Sequence, residues 1–374
     1  LSRLADRFSI ELVAVSKVPG FDARHLPEAT RLGCGARIFP TDPSAPPGNS
    51  ALVRRHWSPQ ARRYLAAYDA GEERLVIHVE GHYLVNLLPP RLRTRALVVD
   101  HNIESGLYRQ RADLVSTEHD RRRLFLESEL TEQAERSAWT SAAMVGTVTD
   151  EDAHAVRAAA PRAEVRVIAD GADHLTRRAD TQPGADRTHL LFVANLAYQP
   201  NEDAARALVD QVFPAVLRRC PDATLTVVGS SPPAWLSDIS RKDGRIRVTG
   251  WVPDVSRWLD ATEVVVCPLR IGGGVKVKIL EALARGCAIV TTPVGMQGLR
   301  YLPGDSVMEC QDLDAVADAC VTLLKSPAHR NQIRARAALA ATRLPTWDQV
   351  AAELAAAWTS LASAVPRTAI TAGS

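Results

Sequence analysis

Lysine is nearly absent from this chain. Of 45 basic residues only Lys17, Lys242, Lys276, Lys278 and Lys325 are lysines, and the rest are arginines. The charges almost cancel, to a formal net charge of +2, so the balance gives no argument for nucleic acid or another polyanion as partner. No apolar run is long enough to cross a membrane as a helix, and the opening residues do not read as a secretory signal. The cysteines, Cys34, Cys220, Cys267, Cys287, Cys310 and Cys320, include no CxxC pair and no histidine at metal-ligand spacing. Cys267 and Cys287 lie inside apolar runs, as buried thiols do. That usage fits a reducing, cytoplasmic setting. Arg121-Arg122-Arg123 reads as a solvated helix face, with peripheral contact to the inner face of a membrane as the alternative.

A length of 374 residues predicts two domains. In the second half, apolar runs at 189–193, 224–229, 246–250, 264–269 and 288–292 alternate with helical patterns at 204–217 and 275–285. Strands alternating with helices imply βαβ units, a parallel sheet and right-handed crossovers. The first half repeats the rhythm more loosely. Strands are expected at 10–15, 74–79, 96–100, 144–148 and 165–168, with two long helical stretches between 107 and 139. The expected organisation is a first domain over 1–172, a polar linker over 173–188 and a second domain over 189–344. A C-terminal helix and tail over 345–374 should pack back on the first domain. The opening Leu1-Ser2-Arg3-Leu4-Ala5 reads as the end of a helix leading into a strand. About 30 residues, one strand–turn–helix unit with a glycine-rich turn, are therefore expected upstream.

The richest stretch runs from Pro268 to Glu281. A strand ends, Gly272, Gly273 and Gly274 make the turn, and a helix begins. Glycines expose backbone N–H groups to a ligand, and a helix N-terminus adds partial positive charge. Ligands of parallel sheets bind at the carboxyl ends of strands, where this turn lies. Lys276 and Lys278 fall where the helix dipole opposes a cation by about 0.3–1 kcal/mol each. Two of five lysines in so unfavourable a place suggest an anion between them, and a diphosphate would supply it; the alternative is a flexible turn with two solvated lysines. Glu281 either accepts hydrogen bonds from ribose hydroxyls or pairs with Lys278. Asp150-Glu151-Asp152 has the DxD spacing of a metal–nucleotide site. Thr149 before it and an alanine-rich run after it instead indicate a capped helix start whose acids complement the dipole. No metal and no cofactor are implied.

Several segments occur together in order: Phe192 to Asn195, Gln199 to Ala204, Val227 to Gly229, Thr249 to Asp254 and Gly272 to Gly298. In the first half stand Val99 to Ser105, Thr147 to Asp152 and Ile168 to Asp173. Together they resemble the retaining family-4 (group 1) glycosyltransferases of the GT-B fold, in particular the branch that builds exopolysaccharides and glycoconjugates. The resemblance implies an α/β protein of two doubly wound Rossmann-like domains facing across a cleft. It also implies a nucleotide-diphosphate sugar on the C-terminal domain and an acceptor mainly on the N-terminal domain. Glu281 matches the second acid of the family's acid–seven residues–acid motif, which typically holds the ribose, and Gly273 stands near the first. Val252 matches a position whose backbone meets the nucleobase, and the loop Gly295 to Gly298 lies beside the donor sugar. Where the family often has an Arg/Lys pair, this chain has Asn195 and Asn201, so Lys276 and Lys278 are expected to take over that charge.

His101, at the carboxyl end of its strand, matches a cleft histidine near the transferred sugar. There it can orient the acceptor or stabilise charge in an oxocarbenium-like transition state; the alternative is a structural histidine. Glu80 and Glu104 are further candidates, for which a structural role is favoured. The leading expectation is transfer of a sugar to an acceptor hydroxyl with retention of configuration. The alternatives are an epimerase or hydrolase on the same fold, and a non-catalytic nucleotide-sugar-binding protein. The acceptor, whether glycan, lipid-linked or small molecule, is not encoded in any motif.

Overall fold

The computed structural model describes residues 1–68, 75–175 and 188–363. The chain divides into two compact units, one of Leu1–Ala169 with Asp348–Ser374 and one of Asp170–Trp347. Most of the expected linker lies outside the described residues. Its first part, with Asp170 to Ala172, groups with the second unit. The reason is local bonding: Ala172 N–H donates to Pro345 O at 2.9 Å, and Trp347 N–H donates to Asp173 Oδ1 at 2.7 Å.

In the first unit the strands β1 (Glu11–Ser16) and β2 (Gly35–Pro40) form a parallel pair. A second parallel sheet has the order β3 (Ile77–Glu80), β4 (Ala96–Asp100), β5 (Met144–Thr147) and β6 (Val165–Val167). The sequence predicts one sheet here, whereas the structure has two. The residues of β4 are all buried, which is why Ala-Leu-Val-Val carries no polar alternation, as in parallel strands covered on both faces. The helices Glu104–Leu114 and Glu118–Ser141 pack on one another. From Asp348 onward the C-terminal helix, Trp347–Ser363, belongs to this unit. Its Trp358 ring stands edge-on to Phe8 at 5.1 Å and to His78 at 5.7 Å.

The second unit has one six-stranded parallel sheet. It comprises β7 (His189–Val193), β8 (Thr224–Val228), β9 (Ile246–Val248), β10 (Val264–Cys267), β11 (Ile289–Thr291) and β12 (Met308–Glu309), in the order β12-β11-β10-β7-β8-β9. Leu190, Leu191 and Phe192 are fully buried, and burial of such side chains stabilises by roughly 1.5–3 kcal/mol each. From β7 the chain builds outward through β8 and β9, then returns to the other side of β7 with β10. The β7/β10 boundary is therefore the topological switch point, where open α/β sheets bind ligands beyond the strand ends.

The helix expected at 204–217 begins earlier, at Gln199, with Pro200 in its first turn, where a missing N–H costs nothing. It runs to Ala207, passes through a π turn at Leu208–Val212 and finishes as Phe213–Leu217. Pro214 has no N–H to continue an α ladder and its ring crowds the preceding turn; the wider π turn lies just upstream. Among the described residues no helix is long and apolar enough to cross a membrane.

Candidate functional site

The segments following β7 and β10 meet at the switch point. After β10, Gly274 takes φ +59°, a left-handed conformation that glycine adopts at no steric cost. The helix Val277–Ala284 starts three residues later, with Lys276 at its N-cap position. Among the described residues, the N–H groups of Gly273, Gly274 and Val275 donate no backbone hydrogen bond. These amides precede a helix N-terminus, an arrangement suited to an anion.

The two lysines have different surroundings. Lys276 is buried, and its Nζ donates to Gly273 O at 2.9 Å, Gly274 O at 2.8 Å and Gln297 Oε1 at 3.2 Å. It locks the glycine turn and ties it to the Gly295–Gly298 loop. Gly295 is required there by space, since a Cβ would stand 2.0 Å from Thr291 Oγ1. Lys278 reaches the other way. Its Nζ hydrogen-bonds Asn201 Oδ1 and lies 5.5 Å from the Phe192 ring centroid. It has no ion-pair partner among the described residues. Burial depresses its pKa, opposed by Cys267 and Glu281.

Asn201 is itself fixed, its Nδ2 donating to Asn195 O at 2.8 Å. Asn195 Oδ1 accepts from Ala197 N–H at 3.1 Å and Ser230 Oγ at 3.2 Å, so this side chain shapes the loop after β7. Arg270, the other cation of the turn, is committed to Asp203, with Nε to Oδ2 at 3.0 Å. Of these three cations Lys278 is held by a single hydrogen bond, to a neutral amide oxygen.

Glu281 lies on the same helix, and burial raises its pKa, opposed by His174 and Lys278. His174 Nε2 is 3.7 Å from Glu281 Oε1, and His174 Nδ1 accepts from Trp347 Nε1 at 3.2 Å. That bond places the proton of a neutral His174 on Nε2, facing the carboxylate. Neither His174 nor Trp347 carries a sequence signal, because His174 reaches Glu281, and Trp347 reaches His174, from far along the chain. Val252 is half-buried and packs on the core behind its loop, while the adjacent Trp251 is 73% exposed.

In the first unit His101 follows β4, is exposed, and shares its Nε2 with Glu80 Oε2 at 2.8 Å. Glu80 also meets His78 Nε2 at 3.1 Å, and His78 Nδ1 accepts from Trp358 Nε1. Partial desolvation pushes the Glu80 carboxyl up, but the hydrogen bond from His101 and the close approach of His78 outweigh it and hold the pKa below the usual carboxylate range. Glu80 is thus an ionised partner that orients His101.

Beneath this pair lies a buried cluster that the sequence reading missed. Asp100 accepts from His82 N–H at 2.7 Å and from Trp139 Nε1 at 2.7 Å, with His82 Nδ1 at 3.1 Å. Glu135 accepts from Ser105 N–H at 3.1 Å and from its hydroxyl at 2.5 Å. Both clamps fix the 100–105 segment that carries His101. Burial raises the Glu135 pKa to about 7 and raises that of Glu104. At Asp150-Glu151-Asp152 the structure gives a helix, Asp150–Ala159, capped by Thr149 Oγ1 accepting from Asp152 N–H at 2.9 Å.

Residues 187–326 match the family model described as glycosyl transferases group 1. No curated protein matches the chain as a whole. Among solved structures, sucrose-phosphate synthase from Thermosynechococcus elongatus is similar at a TM-score of 0.69 and 18% identity, over 95% of this chain and 100% of that one. The Anabaena protein HepE, solved with UDP-glucose, gives 0.65 and 13% over 94% of this chain and 100% of that one. WaaG, a glycosyltransferase involved in lipopolysaccharide biosynthesis, gives 0.61 and 14% over 93% and 100%. At such identities the likeness shows the fold, and that fold is the α/β GT-B architecture of two Rossmann-like units, the second containing the segment that matches the group 1 glycosyltransferases.

Proposed function

We propose that the protein transfers a sugar from a nucleotide-diphosphate donor to an acceptor hydroxyl, with retention of anomeric configuration. The observation that carries this reading is the half-buried Lys278 ammonium, held by Asn201, without an ion-pair partner among the described residues and next to a turn whose amides donate no backbone hydrogen bond. A half-buried cation lacking a counter-ion is poorly compensated, and a bound diphosphate would supply that counter-charge while filling the amides. In this reading the roles of the two lysines separate. Lys278 meets the phosphates, and Lys276 holds Gly273 and Gly274 in the shape that presents their N–H groups. Glu281, with His174 behind it, accepts from the ribose hydroxyls; Val252 lies under the base; Gly295 and Gly298 border the sugar. Solved neighbours bind UDP and UDP-glucose, which favours a uridine nucleotide as the first donor to try.

On the acceptor side His101, oriented by Glu80, contacts the reacting sugar or acceptor hydroxyl. Retention rests on the family resemblance. Metal-independent action rests on Thr149, which assigns the DxD-like acids to a helix start. Calorimetric titration with a panel of nucleotide sugars, followed by turnover with candidate acceptors, tests the reading. Donor binding that Lys278→Met leaves unchanged would refute the donor site. Binding without turnover of any kind would favour the non-catalytic alternative.

A further inference from the structure

The segments with which the second unit begins and ends are tied together beside Glu281. This unit runs from Asp170 to Trp347. Its two ends are joined into a strap by the bond from Ala172 N–H to Pro345 O and by that from Trp347 N–H to Asp173 Oδ1. Gly171 lies against the Trp347 ring, where a Cβ would stand 2.6 Å from Cδ2 and 2.8 Å from the backbone nitrogen. Glycine leaves the ring that room. On this base Trp347 Nε1 donates to His174 Nδ1 at 3.2 Å, and His174 Nε2 faces Glu281 Oε1 at 3.7 Å.

His174 is exposed, and ordering an exposed side chain costs conformational entropy that a surface contact seldom returns. The strap nonetheless fixes the indole that holds it, and so aims one hydrogen in one direction. An indole N–H can only donate, so Nδ1 accepts and the hydrogen of the neutral imidazole sits on Nε2, toward the carboxylate. Glu281 is half-buried, and among the described residues His174 is its one ion-pair partner. Burial pushes the Glu281 carboxyl up, and His174 is the largest influence against it. With His174 on Oε1, the remaining lone pairs of the carboxylate are left for the hydroxyls of a ligand.

We propose that His174, oriented by Trp347, is a positioning residue for donor recognition: it holds the Glu281 carboxylate toward the ribose, so that preference for a ribonucleotide over a deoxyribonucleotide donor is set at the strap as well as at Glu281. This rests on the reading of Glu281 as the acceptor for the ribose hydroxyls. A carboxylate whose direction is fixed before the ligand arrives gains more from each hydroxyl, because less side-chain freedom is lost on binding. A purely structural strap would instead change stability and leave the preference for ribose where it was.

The test uses the full chain. UDP, GDP and ADP are titrated by calorimetry into wild type, and the tightest is then compared with its 2′,3′-dideoxy counterpart in wild type, Glu281→Gln, His174→Ala and Trp347→Phe. The readout is the ratio of the two dissociation constants. Wild type is expected to prefer the ribose form by about tenfold or more, and Glu281→Gln to lose most of that preference. His174→Ala and Trp347→Phe should each narrow the ratio by about threefold or more, through weaker binding of the ribose form, with the dideoxy form unchanged. Trp347→Phe keeps a ring against Gly171 and removes the N–H, so it tests the orientation of His174 even if His174→Ala does not fold. A wild-type ratio in either variant, or equal weakening of both ligands, overturns the proposal and leaves the ribose reading of Glu281 standing. Absence of any diphosphate binding in wild type, equal binding of the two forms there, or an unchanged ratio in Glu281→Gln removes the ribose reading itself, and this inference with it.

Discussion

Replacing Lys278 by Met removes one positive charge and keeps most of the apolar stem. In the free protein the ammonium is half-buried and makes no ion pair among the described residues, so its loss forfeits mainly the hydrogen bond to Asn201 and the contact with Phe192. That is about 1 kcal/mol, offset by relief of the desolvation cost. The unfolding temperature of the free protein should therefore move by only a few degrees, and upward as readily as downward. With donor bound the sum changes. A phosphate oxygen about 4 Å away at an effective dielectric of about 20 attracts the ammonium by about 4 kcal/mol, from which desolvation of the phosphate takes a share. A net loss of about 2–3 kcal/mol corresponds to a roughly 30- to 150-fold weaker donor.

Lys276→Met should behave in the opposite way. Three acceptors, Gly273 O, Gly274 O and Gln297 Oε1, lose a charged donor, which lowers the stability of the free protein by about 2–4 kcal/mol and loosens the turn. Calorimetric titration of the donor beside scanning calorimetry of the free variants separates the two roles. Near wild-type donor affinity in Lys278→Met would refute the reasoning, whatever the stability data.

Three further outcomes are expected. His101→Ala and Glu80→Gln should each lower kcat by at least tenfold with little change in donor affinity, and unchanged turnover in His101→Ala would remove that residue from the mechanism. Glu135 has its pKa raised from 4.5 to about 7, so its contribution to stability is fully present below pH ~4.5 and is lost as pH rises through ~7. Urea unfolding of wild type and Glu135→Gln across that window should therefore differ in slope, by about 3 kcal/mol in total; parallel curves would contradict the assignment. Asp150→Asn/Asp152→Asn, assayed with EDTA, should retain turnover and lose only modest stability, because Thr149 remains to cap the helix.

Much of the second unit was legible because its strands are continuous buried runs. Leu190-Leu191-Phe192 and Val264-Val265-Val266 permit no other reading once helices alternate with them. β2 was not legible: Gly35-Ala36-Arg37-Ile38-Phe39-Pro40 opens on glycine, ends on proline and places an arginine among apolar residues, yet it pairs with β1 residue for residue. The start of the helix at Gln199 was hidden because its cap, Tyr198, gives no side-chain bond. The glycine turn was visible as a motif, but the division of labour between Lys276 and Lys278 depends on partners 21 and 77 residues away. The clamp on the His101 segment was invisible for the same reason, its members being brought to Asp100 and Ser105 by two helices whose periodicity reports burial and not hydrogen bonding.

The π turn at Leu208–Val212 has a consequence for chain length. Five residues are wound there where a regular helix would use fewer, so the residues beyond Val212 are rotated by about 100° relative to an uninterrupted α ladder. That rotation is what lets Phe213 and Val216 share the interior with Ala204 and Leu208. Homologues one residue shorter at this place would have to give up Pro214 as well, or carry Phe213 out into water.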